Sequence, residues 1–227
     1  GVSVAALGEG RMRSWQRGVV RVTPDVALTT PTLGPHLLPQ AKPELMQAIP
    51  WMAPFLDERG HIVLSIHALV IESADHTIVV DTCIGNDKPR TYPKWNLMQG
   101  DFLARFAAAG FTTEQVDTVL CTHMHVDHVG WNTRWVDGRW QPTFPRAQYL
   151  FAEDEWHHWR QEAQEYGPVI EDSVQPIFDA GQAVIVAQQH QVTDEVSLQP
   201  TPGHTPCNVS VRFQSRVEVA IITGDMI

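Results

Sequence analysis

Runs of apolar residues, and stretches where apolar and polar residues alternate, predict several β-strands along the chain. Residues 15–30 contain alternating triplets such as Val20-Arg21-Val22, which are typical of strands. The apolar run 61–72, a turn at Asp75-His76 and the run 77–82 predict a β-hairpin that ends at Asp81. Further strands are expected at 116–122, 148–151, 183–187, 196–200, 208–213 and 218–223.

Helical spacing of apolar residues appears in three places. Residues 101–109 are expected to form a helix that Gly110 ends. A second helix is expected at 153–164, where acidic residues in the first turn suit the helix dipole. A third is expected at 171–179, bent or begun again at Pro176.

The order of these elements predicts a layered α/β (α+β) domain that occupies residues 1–227 as a single unit. Residues 31–60 interrupt the pattern, because they are rich in proline and glycine. They are expected to form a long loop with at most one helical turn. Loops of this length in a compact domain are usually functional or disordered.

The segment most informative about chemistry is 122–130, which follows the expected strand 116–122 directly. Side chains two apart on an extended backbone point the same way, so His123 and His125 can converge on one ion. Asp127 and His128 follow after a bend and can face a second ion nearby. Imidazole and carboxylate ligands suit zinc, and also iron, manganese or cobalt.

Two later segments have the form of ligand loops. Thr201-Pro202-Gly203-His204-Thr205-Pro206 places a histidine in a constrained turn just after an expected strand. Thr223-Gly224-Asp225 places a carboxylate at the end of another expected strand. Each is an ordinary turn sequence by itself. Together with the histidine-rich segment, His204 and Asp225 become credible metal ligands.

These segments, with the strand-end sequence Val79-Val80-Asp81-Thr82 before them, resemble the metallo-β-lactamase superfamily of hydrolases. The resemblance extends from about the first hairpin to the last residue. It implies a four-layer αββα sandwich with metals at one edge of the two sheets. Carried over residue by residue, it implies that His123, His125 and His204 hold one metal, that Asp127 and His128 hold a second, that Asp225 bridges both, and that Asp81 orients a ligand from behind.

The sequence departs from the family at its C-terminal end. Family members with two metals use one more histidine, from a loop well after the position of Asp225, whereas this sequence ends at Ile227. The last elements of the fold are therefore expected to be missing. Two divalent ions, zinc first among them, are expected as cofactors, with occupancy of the second site dependent on that absent histidine.

The resemblance implies metal-dependent hydrolysis, in which a metal-activated hydroxide attacks an ester-type bond and Asp127 orients the nucleophile and passes a proton. An aspartate at the position of Asp225 makes the sequence similar to the lactonase, esterase, phosphotriesterase and thioesterase branches. The expected substrate is therefore a small apolar lactone of the acyl-homoserine lactone type, an aryl ester or an organophosphate triester. Trp51 and Phe55 are expected to line an apolar pocket, as is Trp131, with Trp135 and Trp140 in the loop that follows it.

Composition and charge limit the kinds of partner and the cellular locations that are expected for the chain. With 16 Lys+Arg against 26 Asp+Glu the net charge is −10, which disfavours nucleic acid as a partner. No apolar run approaches the roughly 18 residues that span a membrane. The three cysteines form no CxxC pair and fit a cytoplasmic location, or a periplasmic or secreted one if a leader preceded Gly1. The apolar residues within 31–60 are compatible with a homodimer.

Other functions stay open at this point. A β-lactamase-type amide hydrolase, a single-iron oxygenase of the same fold and an inactive metal-binding member all fit the same ligand pattern. A serine hydrolase of the nucleophile-elbow type is excluded, because no G-x-S-x-G sequence occurs.

Overall fold

Two β-sheets dominate the structure, a computed structural model that describes residues 15–17, 20–30, 38–162, 164–215 and 218–225. The strands in chain order are β1 (Trp15–Arg17), β2 (Val20–Thr30), β3 (Leu64–Ser73), β4 (His76–Val80), β5 (Thr118–Leu120), β6 (Thr133–Val136), β7 (Arg139–Pro142), β8 (Gln148–Ala152), β9 (Ala183–Val186), β10 (His190–Gln191), β11 (Val196–Pro200), β12 (Val209–Ser215) and β13 (Glu218–Ile222).

Short helices connect these strands. The α-helices are α1 (Pro43–Gln47), α2 (Phe102–Ala108), α3 (Val126–Val129), α4 (Glu153–Trp159) and α5 (Gln175–Asp179). Single turns of other helix types lie at Pro50–Phe55, Thr113–Gln115, Gly130–Asn132 and Ile170–Val174. Among the described residues, no helix has the length and apolar character to cross a bilayer.

The larger sheet has seven described strands in the order β1-β2-β3-β4-β5-β8-β9, and the smaller has four in the order β10-β11-β12-β13. Strands β4, β5, β8 and β9 lie side by side in this order, and each is parallel to the next. All pairs in the smaller sheet are antiparallel, so β11 and β13 run in the same direction. The carboxyl ends of β4 and β5 therefore meet at one edge, as do those of β11 and β13.

Alternate side chains of the larger sheet point to its two faces and pack into two separate hydrophobic cores. Val79 and Val119 face the helices, in a cluster with Phe102 and Phe106 of α2. Their neighbours Ile78, Val80 and Leu120 face the second sheet, in a cluster that includes these residues of β11 and β12: Val196, Leu198, Val209, Val211 and Phe213. Burial on both faces explains why these strands read as nearly continuous apolar runs.

The mixed α/β architecture predicted from the sequence is confirmed, with a helical layer and two facing sheets. The first hairpin is confirmed as β3 and β4, with its turn at Ala74-Asp75. The helix expected at 101–109 is confirmed as α2, and Gly110 follows with a φ of +94°. Strand β5 is shorter than the expected 116–122, because the chain turns away after Leu120 to form the histidine-rich loop.

Several predicted boundaries were wrong. Helix α4 ends at Trp159 instead of continuing to 164. By contrast, the expectation that the helix at 171–179 is bent or begun again at Pro176 is confirmed: a wide turn at Ile170–Val174 is followed by α5, because Pro176 has no N–H to donate and fits a helix start. Trp135 and Trp140, expected in a loop, face each other across the β6–β7 hairpin. The loop expected at 31–60 contains α1 and the Pro50–Phe55 turn within its described residues.

Candidate metal centre

The candidate ligands lie where strand ends from both sheets meet. Asp81 directly follows β4, and the histidine-rich loop follows β5. His204 and Asp225 follow β11 and β13 in the second sheet. The backbone N–H of Val209 donates to the carbonyl of Thr122 at 3.0 Å, which joins the two sheets beside the loop. Residues far apart in sequence are thereby held at one edge.

The histidine-rich loop turns sharply after His125. His125 has extended backbone angles (φ −63°, ψ 157°) and immediately precedes helix α3. Asp127 and His128 lie in the single turn of that helix, and the N–H of His128 donates to the carbonyl of His125 at 3.0 Å. The bend predicted between the two ligand pairs is therefore present.

Three imidazoles converge in a first group. Nε2 of His123 lies 2.9 Å from Nδ1 of His125, and Nε2 of His204 lies 2.8 Å from the same atom. The ligand atoms of the three residues all lie within 4.8 Å of one another. The structure thus brings together the three residues assigned to the first metal.

A second group shares His123 with the first. It contains His123, His128 and Asp225, again with all ligand atoms within 4.8 Å. The carboxylate of Asp225 belongs to this group and also lies close to the first, at 3.6 Å from Nε2 of His128 and 3.5 Å from Nε2 of His204. Asp127 lies beside His128, at 3.7 Å from its Nε2, but outside both groups.

Burial favours the neutral form of two histidines in the first group, His123 and His125. His123 is fully buried, which lowers its pKa well below the ordinary value, and the neighbouring imidazoles add to the effect. Burial also lowers the pKa of His125 to about 4, helped by the nearby His204 and His128. Neutral imidazoles keep the lone pairs that bind a cation.

The second group is more strongly charged. Burial disfavours the imidazolium of His128, but the carboxylates of Asp81 and Asp127 outweigh this and raise its pKa well above the ordinary value. Burial would raise the pKa of Asp225, but the hydrogen bond and charge of His128 lower it to about 2. Burial raises the pKa of Asp127 against the opposing charge of His128. This group can supply carboxylate as well as imidazole ligands.

Asp81 supports the second group from behind. Its carboxylate accepts the backbone N–H of Thr122 at 2.8 Å and the hydroxyl of Thr122 at 2.8 Å. The same carboxylate lies 2.8 Å from Nδ1 of His128. A carboxylate on Nδ1 holds a proton there, so Nε2 is the nitrogen that faces Asp225 and would bind a cation once its own proton is lost.

Asp81→Asn is expected to weaken metal binding or turnover about 10- to 100-fold. Asparagine tolerates the positive φ of this residue (+56°). Its amide nitrogen, however, cannot accept the hydrogen bond that Nδ1 of His128 donates to the carboxylate. Metal content and turnover measure the effect. Asp117→Asn is the matched control, since Asp117 also accepts a backbone N–H but from Thr77, away from the ligands. Equal losses in both variants would contradict the role of Asp81.

Close backbone contact fixes the loop against the strand ends. The N–H of Gly130 donates to the carbonyl of Cys83 at 2.7 Å, and that of Trp131 donates to Thr82 at 2.7 Å. A Cβ on Gly130 would lie 1.9 Å from the backbone carbonyl of Ile84. Gly224 is similarly close to the histidine-rich loop, since a Cβ added to it would lie 2.6 Å from the hydroxyl oxygen of Thr122. Glycine is needed where these segments touch.

Gly130→Ala is expected to lower the free energy of unfolding by about 3 kcal/mol, because the methyl group meets backbone that cannot rotate away. Gly130 has ordinary helical angles (φ −61°), so the loss would be purely steric. Gly138→Ala is the control. Gly138 has a φ of +77° but open space around its Cβ position, and we expect about 1 kcal/mol there. Urea unfolding of both variants tests the contrast, and similar losses would contradict it.

A cavity of about 300 Å³ opens beside His125. Apolar and aromatic side chains form much of its wall, together with two carboxylates, two histidines and one amide. The lining residues are Met124, His125, Val126, His158, Trp159, Glu162, Gln164, Glu165, Tyr166, Val169 and Ile170.

None of the three pocket residues predicted from the sequence lines this cavity. Trp131 is only 5% exposed and stacks on Phe102, with ring centroids 5.3 Å apart, because its position after the helix turn points it into the core. Trp51 is 69% exposed. Phe55, in the same turn as Trp51, is half-buried outside the cavity lining. The prediction that Trp131 lines the pocket was wrong, and the cavity wall comes instead from the histidine-rich loop, the end of α4 and the residues that follow it.

Sequence reasoning missed two residues near the ligands. His67, on β3, is half-buried; desolvation lowers its pKa, and it lies near enough to Asp81 and His128 for their charges to act on it. Trp159 packs edge-on against His125, with ring centroids 5.0 Å apart. Neither lies in a recognisable motif, so only the three-dimensional arrangement reveals them.

The donor set fits a divalent cation. Three imidazole nitrogens that converge from two loops form the ligand pattern of catalytic zinc sites, which leave a fourth position open. The adjoining group of His123, His128 and Asp225 supplies nitrogen and oxygen ligands for another.

Comparison with solved structures shows the same fold. A probable metal-dependent hydrolase from Staphylococcus aureus is 19% identical, with a TM-score of 0.70 over 93% of this chain and 74% of that one. The hydrolase AbOPH of the beta lactamase superfamily is 22% identical, with a TM-score of 0.71 over 99% and 75% of the two chains. The dizinc quorum-quenching lactonase AidC is 17% identical, with a TM-score of 0.70 over 92% and 72%.

At these identities the structural likeness establishes the fold alone. A search of curated protein sequences gives no match. The family model of the metallo-beta-lactamase superfamily matches residues 61–227, which include the first hairpin and every candidate ligand. The chain is therefore a member of the metallo-β-lactamase superfamily.

Proposed function

We propose that this protein is a metal-dependent hydrolase that cleaves an ester-type bond in a small, neutral, apolar substrate. The observation that carries the proposal is the convergence of His123, His125 and His204 beside a cavity with a largely apolar wall. A lactone, an aryl ester and a phosphotriester are the substrate types that fit.

The first cation would be held by His123, His125 and His204, and a second by His128 with Asp127 and Asp225. Zinc is the proposed metal, because imidazole and carboxylate ligands in this number suit it. When bound, divalent cations would supply Lewis-acid stabilisation of the substrate oxygen and lower the pKa of water to about 7.

The chain's own side chains would complete the chemistry. Asp225 lies between the two groups and would hold them at a fixed separation. The carboxylate of Asp127 borders the second group without belonging to either cluster, which leaves an oxygen free to orient a water molecule and accept its proton. The proton would then pass from Asp127 to the leaving oxygen.

The cavity beside His125 supports a neutral substrate with an apolar part. Trp159, Tyr166 and Ile170 would contact that part and exclude water. Glu162 and Glu165 are exposed lining residues, and their charges would repel an anionic substrate. The net charge of −10 likewise disfavours a nucleic acid.

A substrate screen with and without metal tests this function. The panel contains N-acyl lactones, aryl esters, phosphotriesters and β-lactams, with zinc, manganese or cobalt supplied. We expect hydrolysis of at least one neutral ester, its loss after chelation and its recovery on adding metal back. Hydrolysis that survives complete metal removal, or that is confined to β-lactams, would contradict the proposal.

A further inference from the structure

A buried carboxylate lies behind the first histidine group. Glu155 is in the first turn of α4, next to the exposed Glu153 and Asp154, yet it is only 1% exposed. Burying a carboxylate is costly unless hydrogen bonds replace its water. Glu155 therefore needs partners within the protein.

Three hydrogen-bond partners satisfy this carboxylate. Its Oε1 accepts the backbone N–H of Met124 at 2.9 Å and the indole N–H of Trp159 at 2.5 Å. Its Oε2 accepts the hydroxyl of Thr205 at 3.2 Å. Met124 lies in the histidine-rich loop after β5 of the larger sheet, and Thr205 lies in the loop after β11 of the smaller sheet. Trp159 is at the end of α4, the helix that contains Glu155 itself.

Each partner adjoins a ligand of the first group. Met124 lies between His123 and His125 in the sequence, so its N–H fixes the backbone that carries both. The ring of Trp159 packs edge-on against His125. Thr205 directly follows His204. One carboxylate is therefore connected to the supports of all three imidazoles.

We propose that Glu155 is a positioning residue that sets the relative placement of His123, His125 and His204 for the first cation. The inference rests on the proposed function only in taking this group as a metal site. Glu155 touches no ligand atom itself and acts through Met124, Trp159 and Thr205. Supports of this kind commonly account for 10- to 100-fold in metal affinity.

Two substitutions at this residue separate hydrogen bonding from packing. Glu155→Met keeps much of the volume but accepts no hydrogen bond of comparable strength. Glu155→Gln can keep the network, since its oxygen can accept from Met124 and Trp159 while its amide donates to the Thr205 hydroxyl. We expect Co²⁺ affinity to fall about 10- to 100-fold in Glu155→Met and to stay near the unsubstituted level in Glu155→Gln.

The measurement is competition for Co²⁺ against a chelator, with the visible spectrum of the cobalt-loaded chain and the melting temperature of the metal-free chain. A positioning role predicts a shifted cobalt spectrum and weaker affinity in Glu155→Met. If that variant loses melting temperature but binds Co²⁺ with unchanged affinity and spectrum, Glu155 is only structural and the proposal is overturned.

Thr205→Val gives an independent test should Glu155→Met fail to fold. It removes only the link to the His204 loop, and a severalfold loss of Co²⁺ affinity is expected. Thr118→Val is the matched control, because Thr118 is a buried threonine whose hydroxyl contacts His76 at 2.8 Å, with no ligand next to it in sequence. Equal affinity in both threonine variants would overturn the proposal.

These readouts do not depend on turnover. A chain that binds Co²⁺ through the Glu155 network but hydrolyses no ester refutes the proposed function and leaves this inference standing. A chain that hydrolyses an ester while its Glu155 and Thr205 variants bind Co²⁺ normally does the opposite.

Discussion

Replacing His123 by alanine is expected to reduce metal-dependent hydrolysis by about 10³-fold or more, and to lower the metal content at the first site. His123 is one of the three imidazoles proposed to hold the first cation, and its Nε2 lies 2.9 Å from Nδ1 of His125. Its loss would leave that cation with two imidazoles. Losing the charge stabilisation that a bound cation provides costs several kcal/mol, and each 1.4 kcal/mol is about tenfold in rate.

Metal analysis together with turnover of the purified variant checks this expectation. His157→Ala is the control, since His157 is largely exposed on α4 and pairs with Glu153 at 3.9 Å, away from the candidate ligands. Because His123 is fully buried, the free energy of unfolding of the metal-free variant must be measured alongside. Near-normal turnover in a folded His123→Ala chain would remove the basis for metal catalysis here.

The ligand loops can be predicted because their signals are local. The spacing of two residues within 122–130 predicts that His123 and His125 converge. The bend before Asp127 was also expected, and it lies where the extended His125 meets the helix turn that contains Asp127. The strand-end positions of Asp81, His204 and Asp225 are equally visible, since strand ends of a layered domain meet at an edge. What the residues alone leave open is which strand ends share that edge, and there the family resemblance decides.

The features that support the ligands are not predictable, because they depend on contacts between distant segments. Glu155 reads as an ordinary acidic residue of a first helical turn, and only its contacts with Met124 and Thr205 distinguish it. Closeness in sequence to His128 suggests a pocket position for Trp131. The helix turn at Gly130–Asn132 directs its ring onto Phe102 instead. Proximity along the chain does not determine the direction of a side chain.

The same contrast explains the elements whose bounds differ from the prediction. Residues 153–164 have helical composition, but α4 ends after Trp159 and the chain continues into the cavity wall. Tyr166 packs against Trp95, with ring centroids 5.6 Å apart, so tertiary contacts from a distant segment shape this region. Local propensity is a weak guide where such contacts compete with it.

Asp127→Asn is expected to lower the turnover number about 10²- to 10⁴-fold while leaving the first cation in place, because general acid–base catalysis contributes in this range. Asparagine has the same shape, but its amide cannot take up the proton that the carboxylate of Asp127 would accept. Asp127 lies 3.7 Å from Nε2 of His128 and outside the cluster of His123, His125 and His204, so affinity at that cluster should be unchanged.

This separation distinguishes Asp127 from His123, His125 and His204, whose loss should reduce the content of the first cation and the rate together. The test is to measure the turnover number, the KM and the metal content of Asp127→Asn, with Asp154→Asn as the control on the exposed face of α4. If turnover falls only in proportion to metal content, Asp127 acts as a ligand and not as a proton acceptor. If turnover is unchanged, the proton must move through another group, and Asp225, which borders both clusters, becomes the carboxylate to test.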